Sequence, residues 1–352
     1  MLHLPAETRG NRASPWTKVH GHCGAPTGIG EDEEILGQPP RGRGRPDAVR
    51  SGIRVGHWAC ENPGVPPCES RSPELIRVAA ADLTFAVWHW PGEDPPLLFA
   101  HATGFHGRCW DQVILRLPHR RRCLAPEARG HGRSSKPSPP YHWPAFALDL
   151  MRIADELKIS DAIGIGHSVG GHTVTSTAAL RPATFSKLLL LDPTIRQAES
   201  YGTPPLDAGF IRKRRVRWQS PQAMLDSFCG RPPFDRWQPE VLRDYCDYGL
   251  LPQDGEYLLA CPPDAEASIY ECSREMEANL HSAIPSIVQP VTVLRAGASG
   301  RPLFSDDPSP SPTDPQLAAR FPRGRDVLLP QHSHYIPMEA PDLVAEQICD
   351  LL

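Results

Sequence analysis

No stretch of this chain approaches the roughly 18 consecutive apolar residues that a membrane-spanning helix needs. Its richest run, Leu188 to Leu191, is strand-sized, so no membrane span is expected. An excess of positive charge is also missing: 37 Lys and Arg face 41 Asp and Glu, a formal net charge of -4. Without a basic field to hold a polyanion, nucleic acid is not an expected partner. The 10 cysteines include no C-x-x-C spacing, which removes the common zinc and redox signatures. The opening MLHLPAETRG has neither the basic region nor the apolar core of a secretory signal. A reducing, cytoplasmic setting is therefore expected.

Proline is what the chain has in excess, with 41 residues that crowd the region before residue 73 and return between Pro302 and Pro315. Both regions read as irregular chain. Residues 1–72 mix Gly, Pro and Arg with the acidic cluster Glu31 to Glu34 and sustain no helical or strand period, so a disordered extension is expected there. His20, His22 and Cys23 lie within it but have no second ligand pair at finger spacing, and no metal site is assigned to them.

From Pro73 onward, short apolar runs alternate with amphipathic ones, the pattern of strands and helices around a parallel sheet. Strands are expected at Leu75 to Val78, Leu83 to Trp88, Leu97 to His101, Arg122 to Leu124, Ala162 to Ile165, Lys187 to Leu191, Val291 to Leu294 and Asp326 to Leu329, all but the first two mostly buried. Leu150, Ile153, Ala154 and Leu157 fall at helical spacing after Pro144. A last helix starting at Pro341 carries Val344, Ile348, Leu351 and Leu352 on one side. The stretch from about 195 to 287 breaks the alternation with Trp218, Phe228, Phe234, Trp237, Tyr245 and Tyr248, and reads as an inserted helical cap. Within it the basic run Arg212 to Trp218 reads as a solvated helix face. One domain, 73–352, with the cap inserted, follows.

The sharpest chemical signal is Gly166-His167-Ser168-Val169-Gly170, a G-x-S-x-G pentapeptide between a short apolar strand and a helix-like stretch that Pro182 ends. A serine hydroxyl is a weak nucleophile unless a base removes its proton, so it has to stand exposed on a sharp turn. Gly166 and Gly170 leave room for that turn, and a helix beginning at Val169 would bring its amide dipoles to the site. His334 follows the last apolar strand, and histidine is the residue type whose unperturbed pKa suits a general base. His332 is its near neighbour and rival.

These residues, with His101 to Phe105 after the third strand and Arg129-Gly130-His131-Gly132-Arg133-Ser134 after the fourth, resemble the α/β-hydrolase family over roughly Leu75 to Leu352. The resemblance implies a mostly parallel eight-stranded sheet flanked by helices, and an esterase-like serine hydrolase with no metal or organic cofactor. Ser168 would be the nucleophile and His334 the base, since Ser333 to Pro341 is similar to the family's H-x-x-x-x-E-x-P stretch. The backbone N–H groups of Thr103 and Val169 would form the oxyanion hole, with Phe105 as the fallback because Ala102 stands where the family has glycine. His131 reads as a brace for neighbouring backbone. For the acid, the turn after Leu294 offers none, so Asp192, which ends the buried run Leu188 to Leu191, is preferred to Asp306 or Asp307. Serine at the elbow argues against dehalogenase or epoxide hydrolase chemistry, which in similar proteins uses aspartate there. The expected substrate is a small, partly apolar ester. Carbon–carbon bond hydrolysis, cofactor-free haloperoxidase chemistry and a non-catalytic binding role stay open.

Overall fold

The computed structural model describes residues 72–117, 121–297 and 311–352. The expected disordered extension lies outside the described residues except for Ser72, and so do Asp306 and Asp307.

In chain order the structure runs through β1 (Glu74–Ala80), β2 (Leu83–Trp90), β3 (Glu93–Ala100), α1 (Asp111–Leu115), β4 (Arg121–Pro126), α2 (Pro144–Glu156), β5 (Ala162–His167), α3 (Val169–Leu180) and β6 (Phe185–Leu191). An insertion follows, with β7 (Arg217–Trp218), α4 (Pro221–Phe228), α5 (Pro239–Tyr248), β8 (Leu250–Gln253), β9 (Glu256–Leu259) and α6 (Pro263–Glu271). The chain then returns through β10 (Val291–Ala296), β11 (Gly324–Leu329), α7 (Ile336–Glu339) and α8 (Pro341–Cys349). Prolines 144, 221, 239, 263 and 341 each open a helix. At that position the missing N–H costs no hydrogen bond and the fixed φ favours the first turn.

The eight expected strands form one sheet in the order β1-β2-β4-β3-β5-β6-β10-β11. β1 pairs antiparallel with β2, and β2 antiparallel with β4; all other neighbours are parallel. Successive side chains of a strand point to opposite faces. The run Leu188 to Leu191 is therefore divided: Leu188 and Leu190 join Leu98, Val174 and Val293 on one face, while Leu189 and Leu191 join Leu97, Phe99, Trp110 and Ile348 on the other. Each fully buried leucine contributes about 1.5 to 3 kcal/mol. A continuous apolar run is what a strand covered on both faces requires.

Four expectations are corrected. β2 is largely buried, because Phe85 and Val87 serve one core and Trp88 and Trp90 the other. β11 is largely exposed as the sheet's last strand, with Leu329 its one buried residue. The insertion carries, besides α4, α5 and α6, a small antiparallel sheet in the order β7-β9-β8. The basic run within it is not a helix face: Ile211–Lys213 makes a single 3₁₀ turn, and β7 begins at Arg217. Three of its four arginines are ion-paired, Arg212 with Glu271 and Asp264, Arg214 with Glu266 and Arg217 with Glu256, while Arg215 lies over the Trp218 ring.

Candidate active site

Ser168 sits between the end of β5 and the start of α3 with φ 57° and ψ -121°. Such a positive φ is strained for a residue with a side chain and persists only where its surroundings enforce it. Here they do. A Cβ on Gly170 would lie 2.1 Å from the carbonyl oxygen of Ala100, and one on Gly166 2.5 Å from that of Gly170. The Ser168 carbonyl accepts N–H groups from Gly171 at 3.0 Å, His172 at 3.2 Å and Thr194 at 3.0 Å, which pins the turn to α3 and to the segment after β6.

The structure brings three of the expected residues together. His334 Nε2 is 3.0 Å from Ser168 Oγ, and His334 Nδ1 is 2.7 Å from Asp192 Oδ2. An Nδ1–H donating to the carboxylate leaves Nε2 to accept the serine hydroxyl proton. Asp192, fully buried, directly follows β6 with φ 43°. Its other oxygen, Oδ1, accepts the Ala296 N–H at 2.9 Å, Ser311 Oγ–H at 2.6 Å and Thr313 Oγ1–H at 3.2 Å. The carboxylate is thereby fixed in direction. The rival histidine is elsewhere: His332 Nδ1 is 3.1 Å from Glu339 Oε2.

Around the loop after β3, the backbone donors are distributed unequally. The Gly104 N–H donates to His131 Nε2 at 3.0 Å and the Phe105 N–H to the Ala102 carbonyl at 3.1 Å. Thr103 N–H and Val169 N–H have no partner among the described residues. Both amides of the expected pair are thus unengaged, whereas that of the fallback, Phe105, already has a partner. His131 Nδ1–H donates to the Arg129 carbonyl at 3.0 Å, and His101 Nε2 accepts the Ala128 N–H at 3.0 Å. Both rings need the neutral form for those bonds. Burial, aided by the neighbouring His101, pushes His131 well below the usual histidine range, and burial takes His101 down to about 4. His167, beside the His334 ring, is likewise pushed well below that range by burial and by His334. It therefore adds no positive charge that would oppose an imidazolium on His334.

Ser168 and His334 open into a cavity of about 250 Å³. Its aromatic walls include Phe105, Phe228, Phe234, Trp237, Tyr245 and Tyr335, with Phe228 and Phe234 stacked at 4.4 Å. Thr194, Arg196, Arg214, Glu266 and Tyr270 supply its polar lining. Arg214 ion-pairs with Glu266 and also reaches the Tyr245 hydroxyl at 3.3 Å. Burial opposes the Arg214 charge, but Glu266 and Tyr245 outweigh it and hold the guanidinium firmly protonated.

Thr194, Ser311 and Thr313 were not found by sequence reasoning. Thr194 Oγ1 is 3.0 Å from Ser168 Oγ. Its only signal was its place two residues after Asp192. Ser311 and Thr313 gave none, lying in a proline-rich stretch read as irregular chain. Among the described residues one group, His142, Cys272 and Glu275, brings three potential metal-ligand atoms within 4.8 Å of one another. None of the three lines the cavity.

A sequence profile described as the Alpha/beta hydrolase family matches residues 97–347. A 2-(acetamidomethylene)succinate hydrolase of Mesorhizobium japonicum is 23% identical over 261 residues, spanning 74% of this chain and 89% of that protein. A non-heme chloroperoxidase of Streptomyces lividans is 33% identical over 103 residues, 29% of this chain and 37% of that protein. Among solved structures, an E-2-(acetamidomethylene)succinate hydrolase superposes with a TM-score of 0.61 at 20% identity, covering 79% of this chain and 98% of that one.

Proposed function

Since the chain belongs to the α/β hydrolase family, we propose that it is a carboxylesterase-like serine hydrolase acting on a small, partly apolar ester through an acyl-enzyme on Ser168. The observation that carries this reading is the continuous chain of contacts from Ser168 Oγ to His334 at 3.0 Å and from His334 to Asp192 at 2.7 Å. In this reading His334 takes the hydroxyl proton as Ser168 attacks the ester carbonyl. Asp192 stabilises the resulting imidazolium and holds the ring in its productive tautomer. The Thr103 and Val169 amides receive the oxygen that becomes negative, a preorganised contribution of about 2.7 to 4 kcal/mol per donor. His334 then protonates the leaving alcohol and activates the water that releases the acid. The aromatic insertion over the site supports an apolar acyl or alcohol pocket with few polar anchors. The seven described cysteines are free thiols, which supports a reducing, cytoplasmic setting.

Likeness to the chloroperoxidase favours a second reading, cofactor-free haloperoxidase chemistry on the same three residues. A halogenation assay run beside ester hydrolysis separates the two. The primary test is labelling with a fluorophosphonate probe. The parent should label, and Ser168→Ala should not. Equal labelling of the two would overturn the mechanism, whereas an active Asp192→Asn beside an inactive Asp306→Asn or Asp307→Asn would move only the acid.

A further inference from the structure

Arg196 lines the same cavity as Ser168 and His334, yet its guanidinium is unused. Its Nε and Nη2 atoms are buried and have no hydrogen-bond partner, and no carboxylate among the described residues lies within ion-pair distance of it. Buried charged groups are ordinarily paired, so an orphaned guanidinium inside a cavity calls for a ligand. The cavity's other arginine is already committed, Arg214 being engaged by Glu266 and Tyr245. Arg274 acts on Arg196 with charge of the same sign. Burial lowers the Arg196 pKa to about 10, which still leaves it charged at neutral pH.

Its backbone is anchored independently of the side chain. The Arg196 N–H donates to the Tyr201 hydroxyl at 3.1 Å, and its carbonyl accepts His281 Nε2–H at 2.7 Å. Two residues earlier, Thr194 Oγ1 touches Ser168 Oγ at 3.0 Å. Arg196, Ser168 and His334 all line the same cavity, so a ligand held there can face the guanidinium and the hydroxyl together. The cavity of about 250 Å³ admits only a small molecule.

We propose that Arg196 is a specificity-determining residue that binds a carboxylate carried by the substrate, so that the ester cleaved is a small anionic one. A planar guanidinium presents paired N–H donors that match a carboxylate, and the aromatic walls would cover the methylenes between carboxylate and ester. This rests on the hydrolase reading above, and its test separates the two.

Two esters releasing nitrophenolate are compared, 4-nitrophenyl hydrogen glutarate and its neutral methyl ester, with glutarate itself as inhibitor. The parent should favour the anionic ester and be inhibited by glutarate. In Arg196→Met the anionic-to-neutral ratio of kcat/KM should fall about 10- to 100-fold, or the glutarate inhibition constant rise as much, as for loss of a charge-assisted hydrogen bond. Arg196→Lys should restore part of the preference. Arg196→Met should melt no lower than the parent, since it removes a buried charge that stabilises nothing in the free protein. A parent indifferent to charge, an unchanged ratio and inhibition constant in Arg196→Met, or a large loss of stability in that variant would overturn the proposal. If neither ester is cleaved, the hydrolase reading fails on its own; thermal stabilisation by glutarate of the parent but not of Arg196→Met then decides the anion site alone.

Discussion

At the scale of single residues, the site depends on hydrogen bonds that each have one direction. Asp192→Asn replaces an acceptor by an amide that can present an N–H to His334 Nδ1, favouring the wrong tautomer. Turnover should drop about 10⁴-fold with the fold intact, measured as kcat beside the circular dichroism spectrum. Ser311→Ala and Thr313→Ala together remove two of the donors to Asp192 Oδ1 and keep the Ala296 N–H. With the carboxylate held less firmly against His334 Nδ1, kcat should fall about 10-fold with the fold intact, a loss of the size expected for weakened orienting hydrogen bonds. An unchanged kcat would mean that the Ala296 amide suffices.

Serine and histidine were legible at this scale because each stood in a local pattern: glycines at fixed offsets, or a histidine between a strand and a helix. The acid was legible only as a choice among candidates, since what selects it is spatial. Leu191 of β6 pairs with Leu294 of β10, which brings the Ala296 amide to a carboxylate 104 positions away. No local pattern encodes such a contact. The same holds for the donors Ser311 and Thr313, and for Arg196, whose importance comes from partners it does not have.

At the scale of elements, the turn from β5 into α3 is built on tight backbone contact. Gly170→Ala would drive a methyl group to 2.1 Å from the Ala100 carbonyl oxygen, backbone that cannot swing aside. The expected cost is about 1 to 3 kcal/mol, read from the urea midpoint, with loss of labelling at Ser168 because β3 and the adjoining oxyanion loop would have to shift. The insertion makes a different prediction. Glu266→Ala leaves the Arg214 guanidinium with the Tyr245 hydroxyl as its remaining partner in a mostly enclosed place. Breaking a buried pair from one side destabilises by about 3 to 5 kcal/mol, and a double variant with Arg214→Met should recover most of the loss. The sequence announced the insertion by its aromatics but not its small sheet. Strands of two to four residues, such as β7, β8 and β9, are too short to establish a period.

For the whole molecule, the buried histidines set the acid limit. Burial lowers His101 and His172 to about 4 and His106 to about 3, and pushes His131 and His167 well below 6.5. Because these folded-state values are depressed, the unfolded chain takes up protons first as pH falls. The stability held above pH 6.5 is then lost progressively towards pH 4. His101, His106 and His172 each cost about 2 kcal/mol at pH 5. Asp244, raised to about 6 by burial, works the other way, since its folded form gains a proton first. It offsets a part of the loss. Melting temperature should therefore decline steadily between pH 6.5 and 4; a flat profile would mean that these rings are hydrated when charged. The eight strands were readable at this scale because each buried strand is a short apolar run between turn signals, and family resemblance implied a mostly parallel sheet. Exposure of β11 was not readable, because position at a sheet edge belongs to the assembled sheet.

The chain leaving β6 delivers Asp192, Thr194 and Arg196 within five consecutive residues. Acid, serine contact and the unpaired cation are thus inherited as one short cassette, whereas the connection from β10 to β11 carries no member of the trio. A library confined to this cassette would vary chemistry and charge preference together, while the later connection could be lengthened, trimmed or exchanged with the acid still in place, provided that Ser311 and Thr313 keep their grip on it.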